Sequence, residues 1–306
     1  MTKTLFCQFI LFFILISFGT AYSQQRADNI IIPEINNPRF KKEEGPKVYI
    51  DQGHNNFHQK TGRFKPFSDL IIKDGYRVDS ITNLKKIKQG DILVIANAVN
   101  ESNRRNWRKP IEQAFTKDEV LFLKEWVKKG GKLLLIADHM PFAGASNGLA
   151  NAFGFNFCDG FAYLIKDNRN NPDVFSIKNK RMLDSEIING KFGIKIDFLT
   201  TFTGSSFSIP KEAKGILKFK KGDYCLAPEI AWQFTETTER QDLEDKYQGA
   251  ILNFGKGKVA VFGEAAMFTA QTITNNSGTF KFGFHSENAP NNIEFIRNLM
   301  YWLSIK

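Results

Sequence analysis

Two uninterrupted apolar runs, "DILVIANA" and "KLLLIAD", stand on either side of one well-marked helical segment, "TKDEVLFLKEWVKKGG". That grouping limits the fold more than any other feature. A short apolar run without alternation reads as a strand buried on both faces, which is the habit of parallel strands covered by helices. In the segment between, Thr116 offers a cap with Glu119 three residues on. Leu121 and Leu123 to Val127 supply apolar positions, and lysines with Gly130-Gly131 close the helix. Two such strands joined through a helix form a parallel βαβ unit.

The same alternation continues on both sides. "KVYID", "PFSDLIIKDG" and "YRVDSI" read as strand, helix and strand, and "GASNGLANAFG" as a short helix ending at Gly154. The expectation is an α/β fold with a mostly parallel sheet, beginning at Lys47 and running to residue 306. Residues 155–248 are less regular. Their short strand patterns "FSIP", "GILKFK" and "EIAWQF" predict a middle insertion or sheet extension covering one end. "GAILNFGKGKVAVFGEA" then predicts a hairpin joined at "GKGK", and "NNIEFIRNLMYWLS" an amphipathic terminal helix. Residues 24–46 mix prolines and charges and read as a linker or extended arm.

Residues 1–23 have the pattern of a signal peptide: one lysine, a long apolar run, and Ala21 and Ser23 three and one residues before a cut ahead of Gln24. The competing reading is a retained anchor, for which the run is slightly short. The expectation is an exported protein, periplasmic or extracellular, with no stable membrane span after cleavage. Cys158 and Cys225 then either form a disulfide or remain two buried thiols, which spacing does not separate. The formal charge is +10, and +9 once Lys3 leaves with the leader. The basic residues are scattered and lack an aromatic nucleic-acid-binding pattern, so no nucleic-acid partner is expected.

In open α/β sheets ligands bind at the carboxyl ends of the strands, where the loops converge. Asp51, His54, Asn55, Asn56 and His58 follow the first strand, Asn97 and Asn100 the next apolar run, Asp138 and His139 the next, and Glu264 the last. His285 lies in a late loop and is expected to return to the same edge. The chain has four histidines, and all fall in loops on this reading. Two chemistries fit. One is a divalent metal held by His54, His58 and His285, although Gly53 and Asn55-Asn56 argue against a helix-borne pair. The other is metal-free acid–base work by His139 with Asp138 and Glu264. Asp51, Asn55, Asn56, Asn97 and Ser205 are the ligand-binding candidates, Ser205 within "TFTGSS", a pattern that makes an anion loop or a plain turn. Asp and Asn at strand ends also tie turns and cap helices, which is the bland alternative at each position. "RRNWRKP" reads as a solvated loop or a holder of an acidic substrate.

"IDQGHNNFH", "LLLIADHMPFAGA", "TFTGSSF" and "GKVAVFGEAAMFTAQ" resemble a group of exported bacterial proteins. That group is related to the class I glutamine-amidotransferase-like superfamily, which includes trehalose-utilisation-type and gliding-motility-associated domains. The resemblance covers residues 47–305 and implies a flavodoxin-like three-layer fold, amidotransferase-like. It also implies a departure. Amidotransferases carry a cysteine nucleophile where this chain has Asp138, His139 and Met140, and a histidine–x–glutamate pair where it has Glu264 alone. A cysteine-dependent glutaminase is therefore not expected. The expected function is a hydrolase-type activity on a small or carbohydrate-like ligand, metal-assisted or metal-free. The alternative is a non-catalytic binding or scaffold domain of the cell envelope.

Overall fold

The computed structural model describes residues 24–28, 32–165, 172–275 and 278–305. The leader expected over 1–23 lies outside the described residues.

The main sheet is built as the apolar runs require. Its strands are β1 (Lys47–Asp51), β2 (Arg77–Ile81), β3 (Ile92–Ala96), β4 (Lys132–Ile136), β5 (Tyr247–Phe254) and β6 (Gly257–Phe262). They lie in the order β2-β1-β3-β4-β6-β5. All neighbours from β2 to β6 are parallel, and β5 pairs antiparallel with β6 as the expected hairpin. Beyond β5 the sheet is extended by the short strands Phe207–Ser208, Asn156–Phe157 and Lys214–Lys218, all antiparallel. "Mostly parallel" thus holds for five strands of nine, and the insertion contributes the rest.

Strand periodicity sorts the core into two layers. Ile92, Val94, Leu134 and Ile136 point to one face, where α1 (Lys65–Lys73) and α4 (Asn292–Ser304) pack; Leu93, Ile95, Leu133 and Leu135 point to the other, covered by α2 (Lys117–Lys128) and α3 (Phe142–Asn151). In α2 the buried residues are Leu123, Trp126 and Val127, a one-face spacing, whereas Leu121 is 62% exposed. Two positions before Leu123 is the opposite side of a helix. The Trp126 ring lies so close to Gly131 that a Cβ there would sit 2.3 Å from it, which explains the closing glycine.

Two small sheets complete the insertion: Phe161–Tyr163 with Tyr224–Ala227 and Glu239–Asp242, and Asp173–Ser176 with Phe198–Thr201. Cys158 and Cys225 are joined by a disulfide across it. "EIAWQF" is not a strand. Ile230 makes a single bridge to Arg108, and Trp232 adopts a left-handed φ of 68°, so the segment turns.

The described part of residues 24–46 lies along the rest of the fold. Gln24–Ala27 pairs antiparallel with β7 (Ala270–Asn275), which pairs with β8 (Gly278–Gly283). Farther on, the arm is pinned to the end of α1: Lys73 Nζ donates to Ile32 O at 2.6 Å, and Arg39 N donates to Asp74 Oδ1 at 3.0 Å. No helix among the described residues is long and apolar enough to cross a membrane.

Candidate functional site

A cavity of about 200 Å³ opens at the carboxyl ends of β3, β4 and β6. Its polar lining is His58, Arg63, Asn97, Asp138, His139, Thr203, Glu264 and Gln271; its apolar lining includes Phe57, Trp107, Phe142, Phe202, Trp232 and Phe282. Of the expected site residues, the structure brings His58, Asn97, Asp138, His139 and Glu264 together here.

His139 sits on the turn after β4. Its ring stacks on Phe161 (centroids 4.6 Å apart, planes 12° apart) and meets Trp232 edge-on at 4.7 Å. Nδ1 donates to Met140 O at 2.7 Å, and among the described residues Nε2 has no hydrogen-bond partner. Beside it, Asp138 Oδ1 accepts from His139 N at 2.8 Å, and burial raises the Asp138 carboxyl above its ordinary range. Glu264, 1% exposed, accepts Ala266 N at 2.6 Å and Met267 N at 2.7 Å, closing the turn after β6. Burial, and then the Asp138 charge, push the Glu264 carboxyl well above its usual value. The Asp138 charge thus disfavours ionisation of Glu264.

Asn97, at a left-handed φ of 53°, links three parts of the site. Its Oδ1 accepts Asp138 N at 2.9 Å, which fixes the amide and leaves Nδ2 to donate to His58 Nδ1 at 3.2 Å. With Nδ1 accepting, the proton of neutral His58 is assigned to Nε2, which lies 2.9 Å from Gln271 Nε2; two N–H donors cannot bond, so the Gln271 amide is assigned with its oxygen turned toward the ring. Burial first, then Arg63 and His139, hold the His58 value far below the usual imidazole range, so this ring stays neutral.

The other expected residues are employed elsewhere. His54 Nδ1 lies 2.8 Å from Asp51 Oδ2 and Nε2 lies 3.2 Å from Glu119 Oε1, with the ring against Phe115. Asp51 also accepts Gly53 N, Asn55 Nδ2 donates to Val99 O at 3.3 Å, and Asn56 Oδ1 accepts His54 N at 3.2 Å. Thus the "DQGHNN" segment folds on itself, and none of Asp51, His54, Asn55 or Asn56 lines the cavity. Ser205 is fully buried and donates to Ala137 O at 2.7 Å, so "TFTGSS" is a tie to the end of β4; Phe202 and Thr203 reach the cavity instead. His285 does not return to this edge: its Nε2 lies 2.9 Å from Asp28 Oδ2, and burial lowers its pKa. The metal set His54, His58 and His285 is therefore not assembled. Among the described residues no group of three His, Cys, Asp or Glu is arranged to hold a metal ion.

Arg63, Gln271, Trp107 and Trp232 are site residues that the strand-end rule misses, because each arrives from a segment that does not directly follow a β3–β4–β6 end. "RRNWRKP" carried a signal: its tryptophan packs on Phe57 and Phe142, both at 5.4 Å.

No protein-family model matches the chain, and no curated protein matches it. Among solved structures it is similar to the mmIFT52 N-terminal domain, with a TM-score of 0.57 and 16% identity over 85% of this chain and 98% of that one. It is also similar to the exo-β-1,4-mannosidase Op5Man5 from Opitutaceae bacterium strain TAV5, with a TM-score of 0.42 and 12% identity over 86% of this chain and 37% of that one. A third similar structure is the cytoplasmic protein STM1381 from Salmonella typhimurium LT2, with a TM-score of 0.46 and 11% identity over 85% and 97% of the two chains. At these identities the likeness is one of architecture: this chain has a mixed α/β fold shared with the mmIFT52 N-terminal domain.

Proposed function

We propose that the cavity binds one small, hydroxyl-rich, sugar-like ring and carries out hydrolase-type acid–base chemistry on it. The observation that carries this is the make-up of the cavity: aromatic rings for the apolar faces of a ring, with amide, imidazole and carboxyl groups placed between them. Ligand pockets combine a mainly apolar wall with a few polar groups that fix orientation. Drug-sized pockets run roughly 300–1,000 Å³, and the smaller volume here, about 200 Å³, suits a single ring. His139 Nε2 serves as the base, and the Asp138 and Glu264 carboxyls, both raised by burial, serve as the acid side of the site. The two cysteines of the described chain are bonded to each other and neither lines the cavity, so the reading involves no thiol nucleophile.

The architectural part of the proposal is a flavodoxin-like, three-layer amidotransferase-like domain. It is supported by the β2-β1-β3-β4 order and by helices on both sheet faces. Export is supported by the disulfide, which persists in oxidising compartments. A second reading, binding without turnover, is favoured by one observation: both Glu264 oxygens already accept backbone N–H groups.

The test uses a panel of nitrophenyl glycosides for turnover and monosaccharides for binding, the latter followed by the fluorescence of Trp107 and Trp232. A folded His139→Ala protein is expected to lose turnover by about 100-fold or more, the usual size of a general-base contribution. Sugar binding with no turnover by the wild type selects the second reading, and no binding at all removes both.

A further inference from the structure

Arg63 enters the cavity from the loop ahead of α1, with its backbone carbonyl held by Thr269 Oγ1 at 2.6 Å. Among the described residues its guanidinium makes no ion pair and no hydrogen bond. Its contact is with the face of Phe57, 5.4 Å from the ring centroid. A guanidinium has five N–H donors and no acceptor, and it stays charged. Burial disfavours that charge, and Asp138 offsets the penalty only through space. A cation kept partly out of water beside aromatic rings, with its donors unused, is a receptor for a planar anion.

We propose that the ligand of this cavity carries a carboxylate, gripped by the Arg63 fork, so that the substrate class is an acidic sugar of the uronate type. This rests on the sugar-ring reading above and narrows it. Carboxylate is favoured over phosphate by the neighbours. Asp138 and Glu264 line the same cavity, and a phosphate dianion would bring two charges against one guanidinium. A carboxylate brings a single charge and two coplanar acceptors to the Arg63 fork. His58, assigned neutral, adds no second cation.

The experiment titrates the wild type, Arg63→Gln and Arg63→Lys with D-glucuronate, D-glucose and D-glucose 6-phosphate, reading tryptophan fluorescence and heat. Thermal melts establish that each protein is folded. The wild type is expected to prefer glucuronate over glucose by roughly ten- to a hundredfold, the size of a charge-assisted bidentate bond. In Arg63→Gln that ratio falls to near one, and in Arg63→Lys it is intermediate, because an ammonium keeps the charge without the fork. Equal binding of glucose and glucuronate by the wild type overturns the acidic-sugar assignment while leaving the sugar site intact. So does a ratio that survives in Arg63→Gln, or in Arg63→Lys if the Gln protein does not fold. Tighter binding of the phosphate overturns the choice of carboxylate. If the folded wild type binds none of the three, the sugar reading itself fails and this one with it.

Discussion

At His54 one imidazole meets two carboxylates, Asp51 on the β1 side and Glu119 on α2. Burial acts to lower its pKa, but the two acids outweigh burial and hold it above the usual value. A raised histidine stabilises the fold fully below its unfolded value of roughly 6.5, and that stability is lost as pH rises through the folded value. His54→Ala leaves Asp51, which is fully buried, with its Gly53 N contact and no charge partner. We expect a loss of about 3 kcal/mol near pH 6, as for a broken buried pair, shrinking toward pH 9, with ligand affinity unchanged. Urea unfolding across that range checks it; a drop in affinity would return His54 to the site. His139 is opposite in kind. Its ring stacks on aromatics and Nδ1 is taken by one carbonyl, so among the described residues Nε2 has no hydrogen-bond partner and faces the cavity with Asp138 nearby. Nothing in "HNNFH" or "DHM" distinguishes these two surroundings, because the partners Glu119, Phe161 and Trp232 lie far away in sequence.

The elements themselves were legible where their residues act locally. The strands at 92–96 and 132–136 declare double burial by composition, and α2 declares its start through Thr116 and Glu119, which form the full reciprocal cap. That cap reaches further than its own helix. Glu119 Oε2 accepts Thr116 N and Oγ1, which leaves Oε1 facing His54. Thr116→Ala is expected to cost about 1 kcal/mol as an ordinary cap loss. By freeing Glu119 to swing into solvent, it should also lower the His54 pKa, measurable by NMR titration; an unshifted His54 would show that Glu119 is held by other contacts. "EIAWQF" was misleading because its apolar alternation serves a turn. Ala231 N donates to Trp107 O at 2.9 Å and Lys109 N to Glu229 O at 2.9 Å, so the segment clamps the Trp107 loop and lays Trp232 over His139. Positive φ at a non-glycine costs on the order of 1–2 kcal/mol, and here it aims a half-exposed indole across the cavity mouth.

Across the whole molecule, the sheet edge supplies half of the site and the insertion with the C-terminal hairpin supplies the other half. The strand-end rule found Asn97, Asp138, His139 and Glu264 because those positions follow from topology alone. It could not find Trp232 or Gln271, whose placement depends on how 155–283 folds back. The insertion is held by the disulfide and by the buried fork of Arg181 on Asp223, whose Nη2 donates to Oδ1 at 2.9 Å. The disulfide spans 67 residues, for which loop-closure entropy gives about 4 kcal/mol. Cys158→Ser/Cys225→Ser should lose stability of that order by urea unfolding and bind ligand more weakly as the Trp232 turn loosens; unchanged affinity would show that the backbone ties from Ile230, Ala231 and Glu229 to the Trp107 loop suffice to hold the turn. The strand Gln24–Ala27 has a mechanical corollary. It is zipped through four residue pairs to β7, the strand that presents Gln271 and Ile273 to the cavity. A load applied to the chain upstream of Gln24 would therefore travel straight into the binding wall, so tethering that end is a way to loosen the grip on a ligand by force.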